Sequence, residues 1–477
     1  MIFRKSLLRA TLYIILFGML ASLVMIYSET KLQALLLFAI VFSLIGPISF
    51  RSMQGRLDLF EPLVLANCAF FFMFLCRPLS DLITGQTHHF GYTILTTFDK
   101  TLFLAWFGII CFQVGYFSPL GSRLAKLFPY PPKFKPGTAI LSAWLFTALG
   151  ATLFFLFINT QGGFKVVSYL LQGRQASNNE LFLRSTGYLY NGIMMWGPAS
   201  FIFFIVAVVS KRKHMFIPFA VIVLPLIFLY GSRGARSQLL PLVISFPVFW
   251  YLWKQRRPSF KNVLLAGLIG LALLGWIREV REIEAKDKMM DKLVVVLFSP
   301  LATISDLLTS PDTEMFDSMA NELLVVPETL PFMHGATITD IFVRAIPRTL
   351  YSNKPLESND EIVNALWSEH YSKSRASPCF SVIGVFYADS GFISVALGMY
   401  FLGTIMSAFW LWFQANSNSV MSQMLYSMGI PFVVILMRGS IPDTLARMLF
   451  YFAPLFMLMV YKRMRTRIGR VIAIRVR

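Results

Sequence analysis

Twelve stretches of this chain run to about 20 mostly apolar residues, the length a helix needs to cross the hydrocarbon of a bilayer. They fall at 8–28, 31–50, 58–78, 101–120, 137–158, 188–210, 215–231, 237–253, 262–280, 385–412, 420–437 and 444–461. A backbone surrounded by lipid finds no water to hydrogen-bond, so it must make its bonds within the segment, as an α-helix does. Of the 477 residues 56% are hydrophobic and only 14% are charged, too few to clothe a water-soluble surface of ordinary charge density. The expected fold is an all-α polytopic membrane protein of about twelve transmembrane helices.

Lys and Arg near the ends of spans are retained on the cytoplasmic side, and this orients the chain. With the N-terminus inside, the cytoplasmic segments hold Arg4, Lys5 and Arg9, then Arg51 and Arg56, then Arg123, Lys126, Lys133 and Lys135. Lys211, Arg212 and Lys213, then Lys254, Arg256, Arg257 and Lys261, and finally the tail from Lys462 to Arg477 continue the pattern. Both termini are expected in the cytoplasm; the turn "QANSNS" at 414–419 has no basic residue and is silent on the matter. The formal charge of +19 is this topological signal plus the pull of anionic lipid on the tail, and it calls for no nucleic acid partner. The first apolar run could pass for a signal peptide, but it is long and another span follows at once, so an uncleaved first helix is expected. Cys68, Cys76, Cys111 and Cys379 offer no disulfide framework, and the five histidines show no metal-ligand spacing. No metal or other cofactor is expected.

From about Arg278 to Pro378 no apolar run is long enough to cross, and 16 of the 24 Asp and Glu fall in that segment. A loop of such length is more often functional than a connector. The chain therefore divides into spans one to nine (1–280), a large, mostly helical outer loop domain (281–378), spans ten to twelve (379–461) and a basic tail (462–477). Within the loop, "NDEIVNALWSEHYSK" reads as a helix with Ile362 and Leu366 on one face. In "TDIFVRAIPRTLYSNKPLESND", Pro347 and Pro355 interrupt regular structure, and Arg344, Arg348 and Lys354 bring three cations close together.

Elsewhere the charges gather at outward ends of spans: Arg77, Arg174 and Arg184, Arg233 and Arg236 in "YGSRGARSQ", and Arg438, Asp443 and Arg447 in "LMRGSIPDTLARMLFY". An ionisable group at membrane depth costs ~2.5–3.5 kcal/mol on insertion scales, so such groups tend to mark pathways or ligands. Any one arginine could snorkel to the interface, and Asp443 with Arg447, at i and i+4, could be a structural pair. Asp58 and Glu61, just before Pro62, read as acidic caps of the third span, and Gly391, Gly398 and Gly403 as sites of close helix packing. A snorkelling anchor, however, needs no second basic residue three positions away. The planar guanidinium fork suits phosphate oxygens, so an outward-facing set of arginines suggests a phosphorylated lipid headgroup. A pyrophosphate-linked polyprenyl sugar fits, with its tail along the spans and its diphosphate on the cations. If that lipid donates its sugar, the departing diphosphate gains negative charge and fixed cations lower the barrier. A base for the acceptor hydroxyl is the remaining need.

"GSRGAR" after a span, a large outer loop with "IPRTLYSNKP", "SVIGVFYADSGFISVALGM" opening a span and "MRGSIPDTLARMLFY" follow in that order. "DLFEP" to "RPL" at 58–79 and "QGGFKVVSYLLQGRQ" belong to the same pattern. Together they resemble the bacterial O-antigen polymerase family (Wzy-type, oligosaccharide repeat-unit polymerase) over most of the chain. The resemblance implies a GT-C-like glycosyltransferase of the inner membrane that moves a growing glycan from undecaprenyl diphosphate onto the next lipid-linked repeat unit, at the periplasmic face. It also allows a chain-length regulator protein as a partner, besides the lipid bilayer. Under it Arg233 and Arg236 bind diphosphate with Arg438 and Arg447 beside them. Arg278, at the start of the loop, joins the substrate-binding set, and Arg344, Arg348 and Lys354 close over the donor or acceptor. Tyr387 and Asp389 line the reaction chamber, Asp389 as the preferred base. Val385 stands where the family is expected to carry an acidic residue, which either moves that role to Asp389 or leaves the stretch without a base.

Two other functions share these features. An O-antigen ligase, which attaches finished glycan to a lipid core, would use the same arginines and an outer-loop histidine, for which His334 and His370 are available. A flippase or transporter for lipid-linked sugars would place binding groups near the bilayer midplane on paired repeats or broken helices, and neither is visible in the sequence.

Overall fold

The computed structural model describes residues 17–171, 187–232, 235–259, 262, 313–344, 346, 351, 353–374, 378–439 and 441–457. In chain order the main helices are α1 (Phe17–Tyr27), α2 (Lys31–Met53), α3 (Pro62–Thr84), α4 (Phe98–Phe117), α5 (Pro119–Leu127), α6 (Pro136–Thr160), α7 (Leu189–Val209), α8 (Lys213–Gly231) and α9 (Arg236–Trp253). They continue with α10 (Met315–Val325), α11 (Ala336–Arg344), α12 (Ser358–Ser374), α13 (Ser381–Ala415), α14 (Val420–Met437) and α15 (441–457). A two-stranded antiparallel hairpin, β1 (His88–His89) with β2 (Tyr92–Thr93), joins α3 to α4. Eight of the described helices, α2, α3, α4, α6, α7, α8, α13 and α14, are long and apolar enough to cross a membrane. The chain is an all-α membrane-embedded protein; of the expected run at 262–280, residues 263–280 lie outside the described residues.

Helix ends follow local chemistry. Pro62, Pro119 and Pro136 each open a helix at the position where a missing N–H costs nothing. Thr30 caps α2 by accepting from the Gln33 amide, and Gly85, at φ 65, closes α3 in the left-handed conformation that glycine adopts without strain. Ile217, Val221, Leu224 and Phe228 on α8, and Ile393, Leu397, Phe401 and Ile405 on α13, are exposed at helical spacing. An apolar stripe turned outward is how a helix faces lipid.

The two ends of the bundle differ. At the basic end Arg257 pairs with Asp58, the Gln255 side chain reaches Asn418 at 3.0 Å, and the Trp412 indole donates to the Pro129 carbonyl at 3.1 Å. The turn at 414–419 thus sits at the same end of the bundle as the basic turn after α9. Here Glu61 caps through its position but not its side chain, which instead accepts from Arg51 at 3.0 Å and from the Tyr116 hydroxyl at 2.7 Å. The opposite end, the loop face, gathers the β-hairpin, α10, the start of α13 and the turn after α14.

Two contacts hold α4 against α13. A methyl group at Gly115 would lie 1.9 Å from the Tyr400 carbonyl oxygen, and one at Gly403 would lie 2.0 Å from that of Phe112. The backbones touch, and Thr404 donates to the Gly115 carbonyl at 3.0 Å across the seam. Gly391 is different from the packing role expected of it. Ser390 and Gly391 leave helical geometry, Gly391 with φ 66 and ψ −145, which only glycine holds without strain. The chain turns back there: the Phe386 ring lies where a methyl group on Gly398 would be 2.7 Å away, whereas residues 12 apart in an unbroken helix are separated by ~18 Å.

Gly115→Ala and Gly403→Ala are expected to lower stability by about 1–3 kcal/mol each, because backbone atoms cannot move aside. Gly46→Ala, on α2 with nothing within 4 Å, should be neutral or stabilising. Thermal unfolding of the purified variants in one detergent checks the difference.

Candidate functional site

The loop face is built around α10, part of the segment expected to form an outer domain. Every residue from Met315 to Leu323 is buried, so this helix is inserted among the loop-face ends of α3, α4 and α13. Its apolar residues account for part of that, with the Phe316 ring 5.0 Å from Phe98. Its polar residues account for the rest by finding partners. Thr97 donates to the Ala320 carbonyl at 2.8 Å, and the Asn321 amide donates to the His89 carbonyl at 3.0 Å.

The central contact is ionic. Arg77 Nε donates to Asp317 Oδ2 at 2.9 Å and lies 3.3 Å from Asp81 Oδ1, with the three side chains no more than 3% exposed. Arg77 follows the π-helical turn Phe72–Cys76 of α3, a widening of the helix that is frequent at functional sites. His89 lies 3.7 Å from Asp317 Oδ2. Burial, with the Arg77 charge adding to it and Asp317 opposing, brings the His89 imidazole down to about 4, so it is neutral at pH 7.

One turn further along α10, Glu322 is fully buried against α13. A methyl group at Gly384 would meet its Oε2 at 2.5 Å, so glycine leaves the room this carboxyl occupies. The backbone amide of Ala388 acts on it without completing a hydrogen bond. Desolvation raises Glu322 well above the usual carboxylate range, so burial favours its protonated form.

The turn at 390–391 organises the expected chamber residues. It frees the carbonyls of Ala388 and Asp389, which accept from the amides of Met333 at 3.0 Å and His334 at 2.7 Å. Asp389 Oδ1 then accepts from the amides of Gly335 at 2.8 Å and Thr337 at 3.3 Å, and Oδ2 from Ser394 Oγ at 3.4 Å. The residue expected as a base is thus engaged as the cap of α11, where a carboxylate also meets the favourable end of the helix dipole. Tyr387 is buried, edge-on to Phe332 and Phe392, with Lys100 Nζ 5.8 Å from its ring centre. His334 is exposed beside this turn at φ 42.

The arginine motifs approach one another in part. Arg447 Nη1 donates to Ser237 Oγ at 2.5 Å and pairs with Asp443, and Tyr451 donates to the Gln238 carbonyl at 3.2 Å. The end of "GSRGARSQ" therefore touches "LARMLFY". Arg438 ends α14, and the next residue, Gly439 at φ 98, rests against Ser381, where a methyl group would lie 3.0 Å from backbone. That brings the Arg438 turn onto the start of α13. Lys354 is buried and donates to the Ile346 carbonyl at 3.0 Å, closing its own loop. Arg233, Arg278 and Arg348 lie outside the described residues, and Arg236 and Arg344 are placed by backbone alone. Among the described residues no group of His, Cys, Asp and Glu is arranged to hold a metal ion.

Asp317, Glu322 and His89 were absent from the expected site. Their one trace in the sequence is the spacing of Asp317, Asn321 and Glu322 inside the apolar run "MFDSMANELLVV", where polar residues recur on one helical face.

Glu322 and His89 set opposite pH limits. Glu322 holds its proton in the folded state and loses it above the ordinary carboxyl range when unfolded, so stability falls as pH rises from there toward its folded value. His89, lowered to about 4, takes a proton more readily when unfolded, so stability also falls as pH drops from about 6.5 toward 4, by on the order of 3 kcal/mol. Unfolding measured across pH should show both limbs, with Glu322→Gln making the alkaline limb shallower and leaving the acid one. Compared with protein families, with curated proteins and with solved structures, the chain matches none.

Proposed function

We propose that this protein is a membrane glycosyltransferase that polymerises undecaprenyl-diphosphate-linked oligosaccharide repeat units, as O-antigen polymerases do. The observation that carries the reading is the contact of Arg447 with Ser237, which joins two arginine-bearing motifs 210 residues apart on the loop face. The Arg438 turn lies against the start of α13 on that same face. Cations converging beside lipid-facing helices are what a diphosphate with a long isoprenoid tail requires: the tail stays in the bilayer and the charge meets guanidinium groups. In this reading the loop face is periplasmic, both termini are cytoplasmic, and the spans number twelve in a GT-C-like arrangement in the bacterial inner membrane. Arg233, Arg236, Arg438 and Arg447 steady the departing diphosphate, and no metal is needed because fixed cations supply the same stabilisation. Arg278, Arg344, Arg348 and Lys354 act on the loop side of the substrate. Asp389 seats α11 beside the chamber, and Tyr387 lines its wall.

A ligase is the second reading, favoured by one observation: His334 is exposed next to the Asp389 turn. Gene deletion separates the functions. Loss of a polymerase leaves single repeat units on the lipid core, loss of a ligase leaves long chains on the carrier lipid, and loss of a flippase stalls the unit on the cytoplasmic face. Arg233→Ala and Arg438→Ala are expected to slow chain growth about 10²–10³-fold at unchanged protein level. Full-length polymer from both variants would overturn the diphosphate assignment.

A further inference from the structure

α11 is amphipathic the wrong way round for a helix in water. Its buried side is polar: Thr337 and Asp340 face the protein, and Asp340 Oδ2 accepts from the Ser358 amide at 2.9 Å and its hydroxyl at 2.7 Å. Its outward side is apolar, with Ile338 60% and Phe342 70% exposed four residues apart. Thr339 shares that side but returns its hydroxyl to the Ala336 carbonyl at 2.9 Å. The setting is fixed at two points, since Asp389 caps the first turn and Asp340 ties the middle of the helix to α12.

The depth of that setting follows from its neighbours. The cap comes from the turn that opens the long limb of α13, where Phe392 lies 5.8 Å from Phe103 and 5.7 Å from Phe107, within the first turns of α4. Phe103, Phe392 and Ile393 are exposed at that level, at the top of the stripe that α13 turns to lipid. α11 therefore starts where the lipid-facing wall ends, and its apolar face continues that wall.

We propose that α11 is an interfacial helix: it lies in the loop-face leaflet with Ile338 and Phe342 among the lipid acyl chains. The partner is the phospholipid bilayer itself, and the proposal rests on membrane embedding alone, so it stands or falls independently of the glycosyltransferase reading. A helix so placed binds in proportion to the apolar area it sinks below the headgroups. It anchors the cap on Asp389, and with it the turn at 390–391, to the surface of the membrane.

The test is a nitroxide placed singly at 338, 342, 364 or 393 in full-length protein whose four cysteines have been replaced, reconstituted in phospholipid nanodiscs. Labels at 338 and 342 are expected to collide more with oxygen than with a water-soluble nickel chelate, as the label at 393 on the lipid-facing stripe does. The label at 364, replacing the exposed Asn364 of α12, should show the reverse and certify the fold together with 393. Preferential collision with nickel at 338 and 342 would place the face in water, and poor access to both reagents would place it against protein. Either result overturns the proposal.

Discussion

A guanidinium buried near the loop-face end of a membrane span must be neutralised where it stands, and Arg77 is neutralised by Asp317, 240 residues away in sequence. Through that pair a helix from the long loop is drawn into the bundle, and much of the loop face is arranged on it. α10 carries Asn321 to the β-hairpin and Glu322 to the glycine face of α13. α13 in turn reverses at Gly391, and the groups freed by that reversal hold the segment 333–337 and cap α11. The chain of dependence runs from one ion pair to the helix that meets the membrane surface.

The same accounting of charge separates the arginines. Arg77 is committed to carboxylates inside the protein and is a structural group. Arg447 is only partly committed: its Asp443 partner is half exposed, and its other contact is a neutral hydroxyl. A substrate diphosphate offers more negative charge than either. The proposed reaction therefore draws on the arginines of the turn after α14 and the turn before α9, and leaves the Arg77 network to hold the wall. Meanwhile the basic end is closed by Arg51 with Glu61 and Arg257 with Asp58.

Hydropathy revealed most of the described spans because it reports the transfer of side chains into lipid, and lipid-facing stripes such as Ile217 to Phe228 carry that signal strongly. It misplaced ends where local chemistry decides. α4 stops at Phe117 because Ser118 and Pro119 begin a new helix, and α3 runs past Arg77 to Thr84 because Asp317 offsets a charge that hydropathy counts as a stop. The pairing of Asp443 with Arg447 was readable from their spacing, and so was the burial of Ile362 and Leu366. The insertion of α10 was not, since its polar residues are satisfied only by partners distant in the chain. The capping role of Asp389 was hidden for a related reason: an acidic residue entering a span has the same sequence signature whether it caps a helix or receives a proton. The contact of Arg447 with Ser237, by contrast, brings together two of the stretches that the sequence singled out for their arginines.

The most direct measurement of the central interaction is a double-mutant cycle on Arg77 and Asp317, read by unfolding of the purified protein in detergent. Arg77→Met and Asp317→Leu alone should each lose about 3–5 kcal/mol, since each strands the other's buried charge. The double variant should lose much less than the sum, giving a coupling of about 2 kcal/mol or more. Losses that simply add, with coupling below about 0.5 kcal/mol, would show that α10 is held by something else and that the ion pair does not organise the loop face.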